Sequence, residues 1–438
     1  MTLGEIFSNG SIDRVIDYII SIGVLLFIFI SLIIRARNPR SPTWSYMAFA
    51  SFVVVVSGLL PIDEVASSID LEVVLFLIGM FAIAAIAESS GLLDYMTWRI
   101  ISFSRDVYSA LILFSLSLGI AASIAVNDTM AVIGVPIVYT MSRALGVDPK
   151  VLSLLLMYSI TIGSVATTIG NPQNMLIATR SGLETPFIDF IRYLLIPTIL
   201  NLILSTYIIV KLYKIRNRRI SIGLIPQEYI RNRREALIGG TALASVVIIL
   251  VVNDVAEILG GPHIRYIGFI PFVIAAGAFL ILDKPREVLR TMDWGTVIFF
   301  MTMFITMQGI WRSGVVQTLL QFLAPLDTQD PLRRIVEIES TSLILSQFTS
   351  NVPYVKLFLN YVSEIHEGLS VREWISLAMS STVAGNLTLL GAASNIIVLE
   401  ALESRYKISI SAIEFMKVGV LITVINLVIY NLFLLLTP

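Results

Sequence analysis

The sequence predicts an all-α polytopic membrane protein built as an inverted repeat, with about 10 transmembrane helices plus two re-entrant hairpins and two broken helices, at roughly 20 residues per crossing. Three observations predict it. Apolar residues make up 56% and charged residues 14% of the 438-residue chain, and mean hydropathy is +0.86, against about 45–50% and about 25% in a soluble domain. Runs of small, polar and helix-breaking residues interrupt apolar stretches long enough to cross a bilayer, where an unpaired amide is tolerated only if it lines a protein-walled cavity. The polar landmarks of the first half recur in order in the second. A net charge of −1 excludes a bulk attraction to nucleic acid. With two His and no Cys, neither a metal-ligand set nor thiol chemistry nor any bound cofactor is expected. Residues 1–13 carry no signal-peptide pattern.

Residues 15–34 read as the first span, and Arg35, Arg37 and Arg40 behind it mark a cytoplasmic end, leaving the N-terminus outside. A span over 44–60 leads to an acidic outside loop with Asp63, Glu64 and Asp70, and a third over 71–90 returns to Arg99 and Arg105. Residues 92–104 read as an amphipathic helix along the inner surface. The stretch 108–145 is long enough for two crossings, but Asn127-Asp128-Thr129 interrupts it and both flanks carry cytoplasmic-type charge. A re-entrant hairpin tipped at Asn127-Asp128 is the better reading. Residues 152–180 form a broken helix around Ser164 to Asn174, because Pro172 lacks an amide proton and Gly170 loosens the turn before it. A span over 190–212 then enters the linker 211–234, whose eight basic residues make it cytoplasmic.

The second half continues with spans over 236–252, 266–282 and 294–311, a hairpin over 334–361 tipped at Ser350-Asn351-Val352-Pro353, a broken span over 374–402, and a last span over 413–436 that ends outside. The chain divides into scaffold helices over 1–69, a first repeat over 70–219, the linker and further scaffold helices over 220–292, and a second repeat over 293–438. Laying one half on the other places Asp70-Leu71 on Asp293-Trp294, Ser90-Gly91 on Ser313-Gly314, Asp128 on Asn351, Gly170 on Gly391 and Asn174 on Asn395. The third span runs inward and its partner at Trp294 outward, so the halves are inverted. Inverted repeats with interrupted helices at matching positions point to the midplane site of a secondary transporter.

Two tips and two breaks meeting at the pseudo-twofold centre would gather Asn127, Asp128, Thr129, Thr168, Gly170, Asn171 and Asn174 with Ser350, Asn351, Thr388, Gly391, Ser394 and Asn395. Amide, hydroxyl and freed carbonyl oxygens suit a hard cation, so Na⁺ is expected at Asn127, Asp128, Gly170 and Asn174 and at Ser350, Asn351, Gly391 and Asn395. Half-helix N-termini attract anionic or hydroxylated solutes. Asp128 is a carboxylate near the bilayer centre, costly there and functional by default; it is a candidate carrier of H⁺ or Na⁺, and an N-cap is the plainer role. Lys356 is either a coupling group inside the membrane or a side chain that snorkels out of it. Glu88, Glu339 and Glu400 read as interfacial, Gln308 as a bond between helices, and Trp44, Trp98, Trp311 and Trp374 as an aromatic belt. The first half is the more polar and holds the one tip carboxylate, so the coupling ion is expected there.

The four motifs around Asn127-Asp128-Thr129, Thr168 to Asn174, Ser350-Asn351-Val352-Pro353 and Gly385 to Asn395 resemble the ion transporter superfamily over residues 70–438. Within it they are most similar to the arsenite permease, sodium-proton antiporter and melanosomal P-protein group, with the divalent anion–sodium symporters as more distant relatives. In those symporters the tips read Ser-Asn-Thr and bind Na⁺; here Ser350-Asn351 matches, Val352 replaces the Thr, and the first tip departs further. The departures favour the arsenite-permease-like branch over dicarboxylate transport. The resemblance implies a homodimer in the cell membrane, an elevator motion with residues 92–104 and 315–326 as connecting arms, and a soluble ATPase partner if the cargo is arsenite. The expected activity is secondary transport of a small inorganic ion, oxyanion or hydroxylated solute coupled to H⁺ or Na⁺. A Na⁺/H⁺ antiporter, a Na⁺-coupled dicarboxylate-type symporter and an ion channel are the alternatives. No nucleophile-base pair or phosphate loop suggests an enzyme.

Overall fold

Helix starts are written locally as Asp, Asn or Ser ahead of proline or an apolar run, the residues that cap orphan amides. In the computed structural model, which describes residues 9–37, 42–220, 230–364, 368–403 and 407–437, these signals act as the sequence suggests. Asp70 and Asp293 accept the Val73 and Thr296 amides at the starts of two matched helices. Asp148 precedes Pro149, Asn171 precedes Pro172, and Ser370 with Glu373 closes a capping box. Asp106 caps another helix, and the Ser109 amide holds its carboxyl below the ordinary range.

The first half runs α1 (Asn9–Arg37), α2 (Thr43–Val56), α3 (Val65–Ser68), α4 (Leu71–Ser89), α5 (Leu92–Ile101), α6 (Val107–Ala125), α7 (Asn127–Leu145), α8 (Pro149–Gly163), α9 (Pro172–Arg180) and α10 (Pro186–Leu212). The second runs α11 (Arg233–Ile258), α12 (Phe269–Leu280), α13 (Pro285–Thr291), α14 (Trp294–Arg312), α15 (Val315–Leu323), α16 (Pro331–Thr349), α17 (Asn351–Glu364), α18 (Val371–Val383), α19 (Ala393–Ala401) and α20 (Ala412–Leu436). Among the described residues, eight helices are long and apolar enough to cross a membrane. Two expected crossings are shorter: α2 has 14 residues and α12 has 12, which at about 1.5 Å per residue falls short of a hydrocarbon core of roughly 30 Å.

Contacts sort the helix ends into two sets. At one end, Arg231 N donates to Ser90 O at 2.9 Å, Ile220 N to Arg105 O at 3.2 Å, Arg218 to Leu145 O at 2.8 Å and Tyr213 to Glu414 at 2.8 Å. At the other, Arg180 meets Asp70 at 2.6 Å, Gly268 N donates to Glu72 at 3.1 Å, Arg312 pairs with Glu64, and Arg372 reaches Thr437 O at 2.9 Å. The α6–α7 hairpin therefore enters from the end that holds the basic linker. The α16–α17 hairpin enters from the opposite end, and the repeats are inverted. One packed group joins α4 to α11 and α12, and α2 to α14; a second joins the hairpins to α8, α10, α18 and α20. Within the second group α6 and α8 touch backbone to backbone, and a Cβ on Gly163 would meet the Gly119 main chain. Gly163→Ala is expected to lower stability by about 1–3 kcal/mol, read by thermal unfolding in detergent; an unchanged midpoint would show that this contact is slack.

Several expectations need correction. Val126 (φ 68°) and Ser350 (φ 73°) occupy the same place ahead of α7 and α17. The tips thus match Asn127 with Asn351, one residue off the pairing of Asp128 with Asn351. Trp98, Trp311 and Trp374 are buried in the bundle rather than displayed as a belt, and Trp311 donates to Glu364 at 2.9 Å. Glu339 is buried between helices, not interfacial. Gln308 accepts from Asn360 at 3.4 Å, between helices as expected. Arg40, the first eight residues and the 221–229 part of the linker lie outside the described residues.

Candidate functional site

Four helices begin at the centre of the molecule: α7 at Asn127, α9 at Pro172, α17 at Asn351 and α19 at Ala393. The two breaks are built alike. Asn174 Nδ2 donates to Ser164 O at 3.1 Å, Val165 O at 3.4 Å and Thr167 O at 2.9 Å. Its repeat mate Asn395 donates to Gly385 O at 2.7 Å and Thr388 O at 3.5 Å. Each Asn thus holds the carbonyls that the break sets free. A Cβ on Gly170 would strike Ser164 O, and one on Gly391 would lie 2.9 Å from Ala384 O, so both turns require glycine.

Hydrogen bonds within and between the halves meet at this level, the Ser394 and Thr382 contacts crossing from one half to the other. Asn127 N donates to Gly170 O at 3.0 Å, and Asn127 Nδ2 reaches Ser394 Oγ at 3.5 Å. Asn171 and Gln173 both donate to Thr382 Oγ1 at 3.3 Å. Gln347 donates to Ala384 O at 2.9 Å and accepts from Thr388 at 2.7 Å. Asn171 caps α9 through the Asn174 amide at 2.9 Å, while Ala392 gives α19 no side-chain cap.

A cavity of about 310 Å³ lies against both tips and both half-helix starts. Asn127, Asp128, Ser350, Asn351, Gln173 and Ala393 line it on one side, and Trp44, Tyr46, Phe299 and Phe300 on the other. Asp293 and Glu400 join Asp128 in its wall, and no Lys, Arg or His does among the described residues. Thr43 and Asp293, at its rim, begin α2 and α14 at the end that holds the basic linker. The oxygens Asn127 Oδ1, Asn351 Oδ1, Asn395 Oδ1 and Thr168 Oγ1, and both amide atoms of Asn386, are buried without a hydrogen-bond partner among the described residues. Buried polar groups left so are costly.

Of the candidate residues, Asn127, Asp128, Ser350 and Asn351 line the cavity. Thr168, Gly170, Asn171, Asn174, Thr388, Gly391, Ser394 and Asn395 sit in or beside the breaks behind it. Thr129 is half-buried outside the wall. Lys356 lies elsewhere, in the field of Asp70 and Arg180 at the far end. Glu400, read as interfacial, lines the cavity instead; Gln173 and Asn386 lie within the two broken stretches without having been singled out, and Gln347 and Thr382 were not anticipated although they are polar residues within a turn of a tip or a break.

A membrane-embedded cavity where two inverted hairpins meet two broken helices is the architecture of a secondary transporter. The chain belongs to the citrate transporter family, whose model matches residues 24–384. It is 23% identical to the rice silicon efflux transporter LSI3 over 80% of this chain and 82% of that one. It is 22% identical to a Dictyostelium discoideum protein named arsB, over 96% and 92%. The crystal structure of the Alcanivorax borkumensis YdaH transporter superposes with a TM-score of 0.53 over 95% of this chain and 97% of that one, at 11% identity, and shares the fold. The chain is thus a multi-pass membrane transporter and not an enzyme, and the resemblance to the arsenite-permease group holds.

Proposed function

We propose that this chain moves a small hydroxylated inorganic solute of the arsenous acid kind, coupled to H⁺ or Na⁺, through the central cavity. The observation that carries the reading is the charge of that cavity: Asp128, Asp293 and Glu400 with no cationic side chain among the described residues. A free polyanion would be repelled there, while a neutral polyol-like solute would meet amide and hydroxyl groups at both tips. A relative named for silicon efflux and one named arsB fit this preference. The family description favours a second reading, citrate, which the same electrostatics allows only when a cation enters with it. The coupling cation belongs to the oxygens without partners. In the first half Asn171, Gln173 and Asn174 spend their amides on Ser164, Thr167 and Thr382. In the second, Asn351, Asn386 and Asn395 keep free oxygens, as Asn127 and Thr168 do in the first, so each half offers a Na⁺ position.

The cycle in this reading is an elevator. The body of hairpins and broken helices slides on the group of α2, α4, α11, α12 and α14, with α5 and α15 as arms. The cavity opens at the linker end, which is the cytoplasmic side if the basic linker is inside. A homodimer in the cell membrane, both termini outside, and a soluble ATPase for an arsenite cargo complete the proposal. Reconstituted protein should accumulate arsenite against its gradient when a proton or sodium gradient is imposed, and take up citrate only with a divalent cation present. Rapid, non-saturating flux that never accumulates solute would identify a channel instead.

A further inference from the structure

Glu339 lies on α16, away from the central cavity, and is buried at 8% exposure. Ser376 Oγ on α18 donates to its Oε1 at 3.2 Å, and Asn431 Nδ2 on α20 donates to its Oε2 at 3.0 Å. Both donors are neutral. The charged groups on α16, α17 and α18 have partners or places elsewhere: Arg334 binds Glu373 at 2.7 Å, Arg333 binds Glu337 at 2.9 Å, Glu364 accepts from Trp311, Arg372 reaches Thr437 O, and Lys356 lies toward Asp70 and Arg180. Of the titratable ones, Tyr354 on α17 is held by Ser342 at 3.1 Å and Tyr430 on α20 by Thr198 at 2.8 Å. A buried carboxylate with only neutral partners is costly unless a proton neutralises it.

The partners suit either form. A carboxylate accepts from both, and a carboxylic acid accepts from Ser376 and donates to Asn431 once that amide turns its oxygen inward. Packing does not demand an acid at this place. With the tips matched at Val126 and Ser350, the position equivalent to Glu339 in the first hairpin is Ser115, which meets Ser159 at 2.7 Å. The carboxyl is therefore an addition of the second half. We propose that Glu339 is a proton-binding site carried by the second hairpin, filled and emptied once in each transport cycle, with Ser376 and Asn431 holding both forms. The proton comes from water and returns to water, and no other group changes its bonding. The cycle in this statement rests on the transporter reading; the reversible protonation does not.

Infrared difference spectra of the full chain in lipid bilayers, taken through a pH titration, test the site without any cargo. The wild-type chain should show a protonated-carboxyl stretch that fades as pH rises and is missing from E339Q. Ser376→Ala, which removes one partner, should shift that band and serves if E339Q does not fold. A titrating carboxyl band unchanged in either variant overturns the proposal. In liposomes with arsenite as probe, E339Q should lose the component driven by a pH gradient while arsenite exchange at equal pH persists; a full proton-driven component in E339Q also overturns it. A wild-type chain that moves no arsenite counts against the cargo reading alone, and the infrared titration then decides the proton site.

Discussion

Asn174→Ala is expected to destabilise the protein more than any other single change at the centre. One amide serves three main-chain carbonyls, Ser164, Val165 and Thr167, and its oxygen accepts from Thr382 at 3.4 Å. Those carbonyls are free because the break between α8 and α9 removes their helical partners, and Asn174 is fully buried. Each buried group left unpaired costs about 1–3 kcal/mol. Roughly 3–6 kcal/mol in total is a large share of a typical stability of about 5–15 kcal/mol. Asn395→Ala should cost less, since Asn395 serves two carbonyls, one of them at 3.5 Å. Thermal unfolding of both variants in detergent checks the order; equal losses would mean that the first break is held by something other than its asparagine.

The same asparagine shows what the sequence disclosed and what it withheld. Asn174 and Asn395, with Gly170 and Gly391 ahead of them, were visible because polar and flexible residues inside apolar spans have few structural excuses. Their mutual spacing carried the inverted repeat as well. The tips were visible too, but their register was not. Asp128 was set against Asn351 by the same offset that lays Asp70-Leu71 on Asp293-Trp294, whereas the backbone matches the positive-φ residues Val126 and Ser350. Glu339 was read from its distance to a span end, and its partners Ser376 and Asn431 come from helices that no local pattern assigns to it. Lys356 was left between two roles, a coupling group inside the membrane and a side chain that snorkels out of it. The hairpin arm carries it toward Asp70 and Arg180. Composition places a side chain along its helix; only packing decides what lies across from it.

Asp128→Asn should leave the fold intact and remove most of the coupled transport. The side chain sits on the first turn of α7, where a negative charge complements the helix N-terminus, and it is buried at 7% exposure in the cavity wall. Asparagine keeps its shape and its capacity to accept, so unfolding should shift by no more than about 1 kcal/mol, the loss of the charge at the helix N-terminus. What disappears is the charge that would face a cation or a proton in the cavity. A charge-assisted contact is worth about 1.5–3 kcal/mol, so gradient-driven arsenite flux in liposomes should fall roughly 10- to 100-fold. Asp293→Asn supplies the contrast. That carboxylate also lines the cavity, but it accepts from the Thr296 amide at 3.0 Å as the cap of α14. Asparagine caps a helix about as well as aspartate, so the change should alter stability little and spare most of the flux. If both variants lose flux alike, the cavity acts through its total negative charge, and Asp128 has no separate part in coupling.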